Sequence, residues 1–304
     1  MPHVGADLDA LLDRIDCLRG DRQIMPLSGG LTNQNYLVTA PAGRFVVRVS
    51  SKDAELLSID RRVEYENSRL AAAAGVGAPV VAYLPGDGVL VVGYLEGRTL
   101  QDTDFDEPEM IGRVAQACRR LHSGPRFVSD FDMMTIHRRY LRLVTERGFR
   151  IPPDYLDYQE AVGRIEDALA VRREPTVPCN NDLLAGNFID NGSKIWIIDY
   201  EYAGNNDPCF ELGNLASECH LSLDQLAELV SAYYGTLLRN KIARARLHGM
   251  MSNYGWTLWA SIQDATSEID FDFWAWGTAK YEAARAAFAD SSFDELLTDV
   301  RRED

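Results

Sequence analysis

The spacing of apolar residues changes near residue 96, and this change constrains the fold more than any other feature of the chain. Before it, short runs rich in valine, leucine and tyrosine are separated by turns such as residues 41–43 and 85–88, which indicates about five strands. One helical segment, residues 59–79, interrupts them. After residue 96 the spacing is helical almost throughout. We therefore predict an α+β protein in which residues 1–96 form a β-rich lobe and residues 97–304 form a mainly helical lobe.

The stretch from residue 177 to residue 210 carries a second β signal inside the helical part. Two apolar runs, NFID and KIWIID, are separated by a three-residue turn, so Asn187 and Asp199 should lie at the outer ends of paired strands. Asp182 precedes this hairpin by one loop. Turns favour Asp and Asn on their own account, which offers a purely structural explanation. The same residues also suit Mg²⁺ and kinase chemistry, in which an Asp accepts a hydroxyl proton and an Asn and a second Asp hold metal.

The loop of residues 28–33 lies between two predicted strands, whereas a P-loop joins a strand to a helix. Its glycines would let main-chain N–H groups approach phosphates, although an ordinary hairpin turn explains a single Gly-Gly pair equally well.

Arg48 is the single charge in the run FVVRV. It either reaches the edge of the sheet or, in a kinase-like lobe, binds nucleotide phosphates and pairs with a helix glutamate. We favour Glu64 as this partner and keep Glu66 as the second choice. The alternative is that both glutamates are ordinary solvated surface residues. The connector after the last strand supplies Tyr94, Leu95 and Glu96 as candidates for main-chain contact with adenine.

Four of the five tryptophans, Trp256, Trp259, Trp274 and Trp276, lie within 21 residues of one another. Trp256 and Trp259 are three residues apart and therefore share a helix face. Aromatic residues at this spacing belong to a core more often than to a ligand site. They would also suit a pocket for a quaternary ammonium group, where each cation–π contact contributes on the order of 0.5 to 2 kcal/mol.

Composition narrows the possible partners. The chain has 31 basic and 46 acidic residues and a net charge of −15, which disfavours nucleic acid or an anionic membrane as the main partner and is compatible with a small cationic substrate. No apolar run approaches the length of a membrane span and the N-terminus lacks a secretory pattern, so we expect a cytoplasmic protein. The five cysteines and five histidines are dispersed, which indicates neither a disulfide framework nor a zinc site.

Taken in order, these motifs make the chain resemble the choline/ethanolamine kinase family, especially its bacterial members, within the aminoglycoside-phosphotransferase-like group of protein-kinase-fold enzymes. The resemblance covers most of the chain. It is carried by LSGGLTNQNYLV, FVVRV, the helix with Glu64, NNDLLAGNF, IDYEYAGNNDPCFELGN, WTLWASIQ and DFDFWAW.

The resemblance implies a two-lobed protein-kinase-like fold, ATP and Mg²⁺ as cofactors, and transfer of the γ-phosphoryl group to the hydroxyl of choline or a related amino alcohol such as ethanolamine. Asp182 would be the catalytic base, with Asn187 and Asp199 as metal ligands. The nucleotide-binding residues implied are Ser28, Gly29, Gly30, Thr32, Asn33, Arg48, Glu64, Tyr94, Leu95 and Glu96. The substrate-binding residues implied are Glu201, Tyr202, Trp256, Trp259 and Trp274 or Trp276.

Two departures from the family pattern bear on function. Asn180 stands where many relatives have histidine at the start of the catalytic motif, and Leu184 stands where some have a polar residue. Asn180 motivates an alternative hypothesis of a non-catalytic, ligand-binding pseudokinase. A further alternative keeps the fold and changes the acceptor to thiamine, an aminoglycoside or a sugar.

Overall fold

The structure, a computed structural model, describes residues 4–27, 30–50 and 56–303. The elements of its N-terminal part, in chain order, are α1 (Val4–Leu12), β1 (Gln23–Leu27), β2 (Asn33–Ala40), β3 (Gly43–Ser50), α2 (Arg61–Ala73), β4 (Val80–Leu84) and β5 (Val89–Gly93). The strands form one antiparallel sheet in the order β1-β2-β3-β5-β4. The predicted alternation of strands and turns is therefore present, but the helical insertion leads to β4 at the edge of the sheet, and β5 returns to pair with both β3 and β4.

The two faces of this sheet have different surroundings. In β3, Phe45 and Val47 are buried in a small core with residues of α1, while Val46 and Arg48 alternate onto the opposite face. Because successive side chains of a strand point to opposite faces, one apolar run supplies both core residues and a cleft wall. Asp60 caps α2 by accepting hydrogen bonds from the N–H groups of Arg62 and Val63, which starts the helix just before Glu64.

The remaining chain is mainly helical. Its elements are β6 (Arg98–Thr99), α3 (Met110–His122), α4 (Met133–Arg147), α5 (Gln159–Val171), β7 (Val177–Cys179), β8 (Phe188–Asp190), β9 (Ile195–Ile197), β10 (Gly204–Asn206), α6 (Pro208–Glu218), α7 (Leu223–Tyr234), α8 (Arg239–Thr266), α9 (Phe273–Phe288) and α10 (Phe293–Asp299). Strand β8 pairs with both β6 and β9, and β7 pairs with β10. Among the helices of the described ranges, none combines the length and the apolar composition needed to cross a membrane.

The 28-residue helix α8 is the centre of the helical part and packs against α4, α6 and α9. Its crossing with α6 is close because both helices have glycine at the contact. A Cβ atom on Gly213 would lie 2.1 Å from the Ala245 carbonyl oxygen, and one on Gly249 would lie 2.8 Å from the Gly213 carbonyl oxygen. This crossing fixes α6, whose residues support the loop that contains Asp182.

Candidate active site

Arg48 forms the electrostatic centre of the cleft between the sheet and the helical part. Its Nη1 donates to Glu64 Oε1 at 2.5 Å and to Asp199 Oδ1 at 2.8 Å. Burial opposes the charged guanidinium, but Asp199 and Glu64 outweigh burial and raise the pKa of Arg48 above its usual range. Glu66 instead accepts a hydrogen bond from Arg69. Of the two glutamates considered from the sequence, Glu64 is therefore the one that contacts Arg48.

A second arginine extends this network. Arg61, in the first turn of α2, donates through Nη1 to Glu64 Oε2 at 2.7 Å and to Glu201 Oε2 at 3.1 Å. Burial raises the pKa of the Glu201 carboxyl, and the negative charge of Asp199 adds to this, whereas Arg48 and Arg61 act in the opposite direction. Three carboxylates and two guanidinium groups therefore form one continuous, largely buried network.

The hairpin β8–β9 places the two predicted metal ligands next to each other. Phe188 pairs with Ile197, and the Ile198 N–H donates to the Asn187 carbonyl oxygen at 2.9 Å. Asn187 Nδ2 donates to the Asp182 carbonyl oxygen at 2.7 Å, so its amide oxygen points away from that carbonyl. Asp199 has a left-handed φ of 63°, an uncommon conformation for a residue other than glycine, and this turns its carboxylate toward Arg48.

The donor set fits Mg²⁺. Asn187 and Asp199 both line the cleft, and an amide oxygen plus a carboxylate, with phosphate oxygens and water, is what this ion prefers.

Asn180 organises the loop of residues 180–187, which contains the predicted base Asp182, through its side chain. It is fully buried, and its Nδ2 donates to the carbonyl oxygens of Asp199 at 2.7 Å and Ile198 at 3.2 Å. Its Oδ1 accepts from the Asp182 N–H at 3.1 Å. The amide therefore ties the main chain at Asp182 to the main chain at Asp199. The asparagine supplies both a donor and an acceptor for this connection, so its presence does not favour a non-catalytic protein.

Glu211 supports the same loop through hydrogen bonds to its main chain. Its two carboxylate oxygens accept from the N–H groups of Asn180 at 2.8 Å and Asn181 at 2.7 Å. Cys179 Sγ and Glu211 Oε1 each lie 3.6 Å from His122 Nε2, and all three side chains are buried. These three residues, which are far apart in the sequence, therefore lie together beside the loop that contains Asp182. Both oxygens of Glu211 accept hydrogen bonds from main-chain N–H groups of this loop.

Asp182 is half-buried and adjoins Asn187, whose Nδ2 donates to its carbonyl oxygen. Burial raises the pKa of its carboxyl well above the usual range, and the negative charges of Glu218, Asp199 and Glu201 raise it further, while Lys280 acts in the opposite direction. A carboxylate with raised proton affinity suits the acceptance of a hydroxyl proton.

The cleft has a volume of about 490 Å³. Its polar lining includes Arg48, Glu64, Asn187 and Asp199. Its apolar lining includes Val46, Ala78, Leu90, Val92, Leu184, Ile189 and Ile198, and the residues Gly93, Tyr94 and Leu95 also line it. Glu96 is directed elsewhere and forms an ion pair with Arg44 at 2.6 Å. A cleft of this volume that combines apolar side chains with a cation and oxygen ligands has the size and polarity to hold a nucleotide.

The glycine loop is connected to the helical part by its last two residues. Thr32 Oγ1 donates to Glu201 Oε1 at 2.8 Å, and Asn33 Nδ2 donates to Glu201 Oε2 at 2.9 Å. Gly30 lines the cleft, and a Cβ atom there would lie 2.7 Å from the Asn33 carbonyl oxygen, so the turn requires glycine. Ser28 and Gly29, the other predicted residues of this loop, lie outside the described residues.

Four of the five aromatic candidates form one group. The rings of Tyr202 and Trp256 meet edge to face at 5.0 Å, and those of Trp259 and Trp276 do so at 5.4 Å. Trp259 Nε1 donates to the Tyr202 hydroxyl at 2.8 Å, which joins the two pairs. Trp274 lies apart, because its ring stacks against Arg150 at 4.0 Å. Trp256 and Trp259 are buried and also belong to the main core of the helical part.

Glu218 and Lys280 adjoin this aromatic group. Lys280 Nζ lies 2.6 Å from Glu218 Oε1 and 4.4 Å from the centroid of the Trp276 ring. Glu218, at the end of α6, raises the pKa of the Asp182 carboxyl more than any other charge does. A carboxylate, aromatic faces and the candidate base are thus all present in one region.

Glu211, Glu218 and Lys280 belong to this site but are not among the residues predicted from the sequence. A signal for two of them exists, because Glu211, Asn214 and Glu218 recur at helical spacing within the otherwise apolar α6. Polar residues on the buried face of such a helix require partners, and in this protein those partners are the catalytic loop, α8 and α9.

Comparison with known proteins agrees with this arrangement. A phosphotransferase enzyme family model matches residues 23–248. Protein LicA of Haemophilus influenzae is 28% identical over 259 residues, which cover 81% of this chain and 75% of LicA. The solved structure of a choline/ethanolamine kinase family protein from Mesorhizobium loti is 32% identical with a TM-score of 0.85, covering 97% of this chain and 98% of that one. Choline kinase LicA from Streptococcus pneumoniae is 25% identical with a TM-score of 0.78, covering 92% and 98%.

Proposed function

The chain belongs to the phosphotransferase enzyme family and to the choline/ethanolamine kinase family, and from this premise we propose that it transfers the γ-phosphoryl group of ATP to the hydroxyl of choline or a closely related amino alcohol. The observation that carries the proposal is the convergence of Asn187, Asp199 and the Arg48–Glu64 pair in one nucleotide-sized cleft, with Asp182 joined to Asn187 by a hydrogen bond.

The nucleotide would enter with its base in the apolar part of the cleft, between Val46 and Leu90 on the sheet side and Ile189 and Ile198 on the other. Tyr94 and Leu95 also line this cleft. The phosphates would then reach Arg48, whose charge is secured by two carboxylates. Phosphoryl transfer depends mainly on positioning and charge neutralisation, and this end of the cleft supplies both.

Asn187 and Asp199 are the residues that would hold Mg²⁺. When bound, the ion would neutralise charge on the phosphate oxygens. The protein's own contribution is to fix both ligands before binding: Asn187 through the Asp182 carbonyl, and Asp199 through Arg48 and the main-chain contact of its carbonyl with Asn180.

Asp182 would orient the acceptor hydroxyl and take its proton as the oxygen attacks phosphorus. The cationic head of the acceptor would lie toward Glu218 and the rings of Tyr202, Trp259 and Trp276. A carboxylate beside aromatic faces selects a compact cation, which favours an amino alcohol over a neutral sugar or a polyhydroxylated aminoglycoside. Thiamine, an aromatic cation, remains the second candidate acceptor on the same observation.

The test is a phosphorylation assay with Mg-ATP and a panel of choline, ethanolamine, thiamine, an aminoglycoside and a sugar. We expect turnover with choline or ethanolamine and none with the sugar. Asp182→Ala should abolish turnover while nucleotide affinity, measured by calorimetry, changes little. Absence of transfer to every amino alcohol, or ordinary turnover by Asp182→Ala, would contradict the proposal.

A further inference from the structure

The region that would receive the acceptor's cationic head already contains a cation from the chain itself. Lys280 Nζ lies over the Trp276 ring, 4.4 Å from its centroid, and forms an ion pair with Glu218 at 2.6 Å. Trp276 and Lys280 are four residues apart on α9 and therefore share a face of that helix. The side chains of Lys280 and Glu218 are only 9% and 7% exposed, so this ammonium group has exchanged most of its water for one carboxylate and one ring.

An aromatic face and a carboxylate are the two partners that any ammonium ligand seeks. In this structure Lys280 contacts both of these partners. The indole N–H groups of two neighbouring tryptophans also have hydrogen-bond acceptors already. Trp259 Nε1 donates to Tyr202, and Trp256 Nε1 donates to Asn214. An incoming cation therefore meets a site whose charge is already compensated.

We propose that Lys280 is a resident cation of the acceptor site, and that the cationic head of the acceptor binds by displacing the Lys280 ammonium from Trp276 and Glu218. This inference rests on the proposed function for the identity of the ligand, an amino alcohol cation. Lysine suits the role because its ammonium group is a compact charge on a flexible four-carbon stem, which can move aside without rearrangement of the helix.

The consequence concerns affinity and selectivity. When a competing group occupies a site for most of the time, the apparent dissociation constant equals the intrinsic constant divided by the fraction of protein with the site open. Lys280 therefore raises the concentration of cation needed for binding. It also excludes neutral alcohols, which gain too little from Trp276 and Glu218 to displace it.

The experiment measures binding of tetramethylammonium, which has the cationic head but no hydroxyl, by calorimetry in the absence of ATP. Lys280→Gln removes the charge but keeps an amide donor for Glu218, and Lys280→Met removes both. We expect about tenfold tighter binding by Lys280→Gln, which corresponds to a site that is open about one tenth of the time in the native protein. In turnover assays, the KM for choline should fall by a similar factor.

A matched control is Lys194→Gln. Lys194 Nζ lies 3.3 Å from the centroid of the Trp196 ring on β9 and donates to the Gly75 carbonyl oxygen, so it is an ammonium group over a tryptophan ring outside the acceptor region. This variant should bind tetramethylammonium as the native protein does, whereas Trp276→Leu should lose affinity.

The proposal is overturned if Lys280→Gln, shown to be folded by circular dichroism and thermal melting, binds tetramethylammonium no more tightly than the native protein does. Binding by neither protein overturns it as well. Suppose that Lys280→Gln binds tetramethylammonium more tightly but the native protein phosphorylates no acceptor. That result would support Lys280 as the resident cation and would contradict the proposed kinase function.

Discussion

Glu211 shows how much of the candidate active site depends on a residue that does not line the cleft. Its two oxygens accept the consecutive N–H groups of Asn180 and Asn181, and Asn181 has a left-handed φ of 68°. Such a conformation persists only where surrounding interactions determine it. The carboxylate therefore fixes the loop conformation that presents Asp182.

We predict that Glu211→Gln lowers the free energy of unfolding by about 2 kcal/mol and lowers kcat at least tenfold. The amide presents only one acceptor oxygen, so one buried N–H loses its charge-assisted partner. Urea unfolding and steady-state kinetics measure the two effects. Glu66→Gln, at a half-buried surface ion pair, is the control and should stay within about 0.5 kcal/mol of the native stability. Native stability and kcat in Glu211→Gln would remove the loop-supporting role.

The pairing of Arg48 yields a second test at this scale. Glu64→Ala should raise the KM for ATP roughly tenfold, because Arg48 would lose the carboxylate that orients it toward the phosphates. Glu66→Ala should leave this KM unchanged, since Glu66 contacts Arg69 instead. Equal effects of the two substitutions on the KM for ATP would contradict the assignment.

His137 is expected to give stability a distinct pH dependence. Its side chain is buried beside Tyr155 and Tyr254, and burial, assisted by the charge of Arg138, lowers its pKa from the usual 6.5 to about 4. Above pH 6.5 neither the folded nor the unfolded state is protonated at this histidine. As the pH falls from 6.5 toward 4 only the unfolded state gains the proton, so stability decreases over that window and changes no further below it.

The matching measurement is the free energy of unfolding of the native protein and of His137→Leu at pH 7 and pH 5. The native protein should lose about 2 kcal/mol more than the variant between these two values. The same loss in both proteins would show that His137 is not the cause.

At the scale of single elements, the hairpin β8–β9 forms almost where the sequence predicts it. Local periodicity and a turn of Asn, Gly and Ser are sufficient for this, because strand pairing across a short turn depends on neighbouring residues. The predicted helical segment of residues 59–79 is shorter in the structure, where α2 spans Arg61–Ala73.

The crossing of α6 and α8 is an element-scale feature that the pattern of apolar residues does not reveal. Gly213→Ala should lower the free energy of unfolding by about 2 to 3 kcal/mol, because the added methyl group meets the α8 main chain, which cannot move without loss of packing. Gly163→Ala is the matched control, since nothing lies within 4 Å of a Cβ atom at that helical glycine. Thermal melting of both variants gives the comparison, and equal melting temperatures would show that the crossing tolerates a side chain.

At the scale of the whole molecule, hydrogen bonds across the cleft hold the sheet over the helical part. Thr32 and Asn33 donate to Glu201, and Arg48 donates to Asp199. Thr32→Val keeps the shape and removes the donor, so we expect a several-fold higher KM for ATP. Thr39→Val, at an exposed position of β2, should leave the KM as it is. An unchanged KM in Thr32→Val would show that this contact does not position the glycine loop.

The predicted α+β, protein-kinase-like fold and the predicted family are confirmed, while the roles of the individual site residues stay predictions. The sequence by itself determined what depends on local spacing: the strands and helices, the order of Asp182, Asn187 and Asp199, and the alternation that puts Arg48 on the cleft face of β3. Only the tertiary structure decided which charges meet. Arg48 and Asp199 are 151 residues apart, and Lys280 and Glu218 are 62 apart. Such contacts depend on the packing of whole elements, as at the α6–α8 crossing, and no local periodicity contains that information.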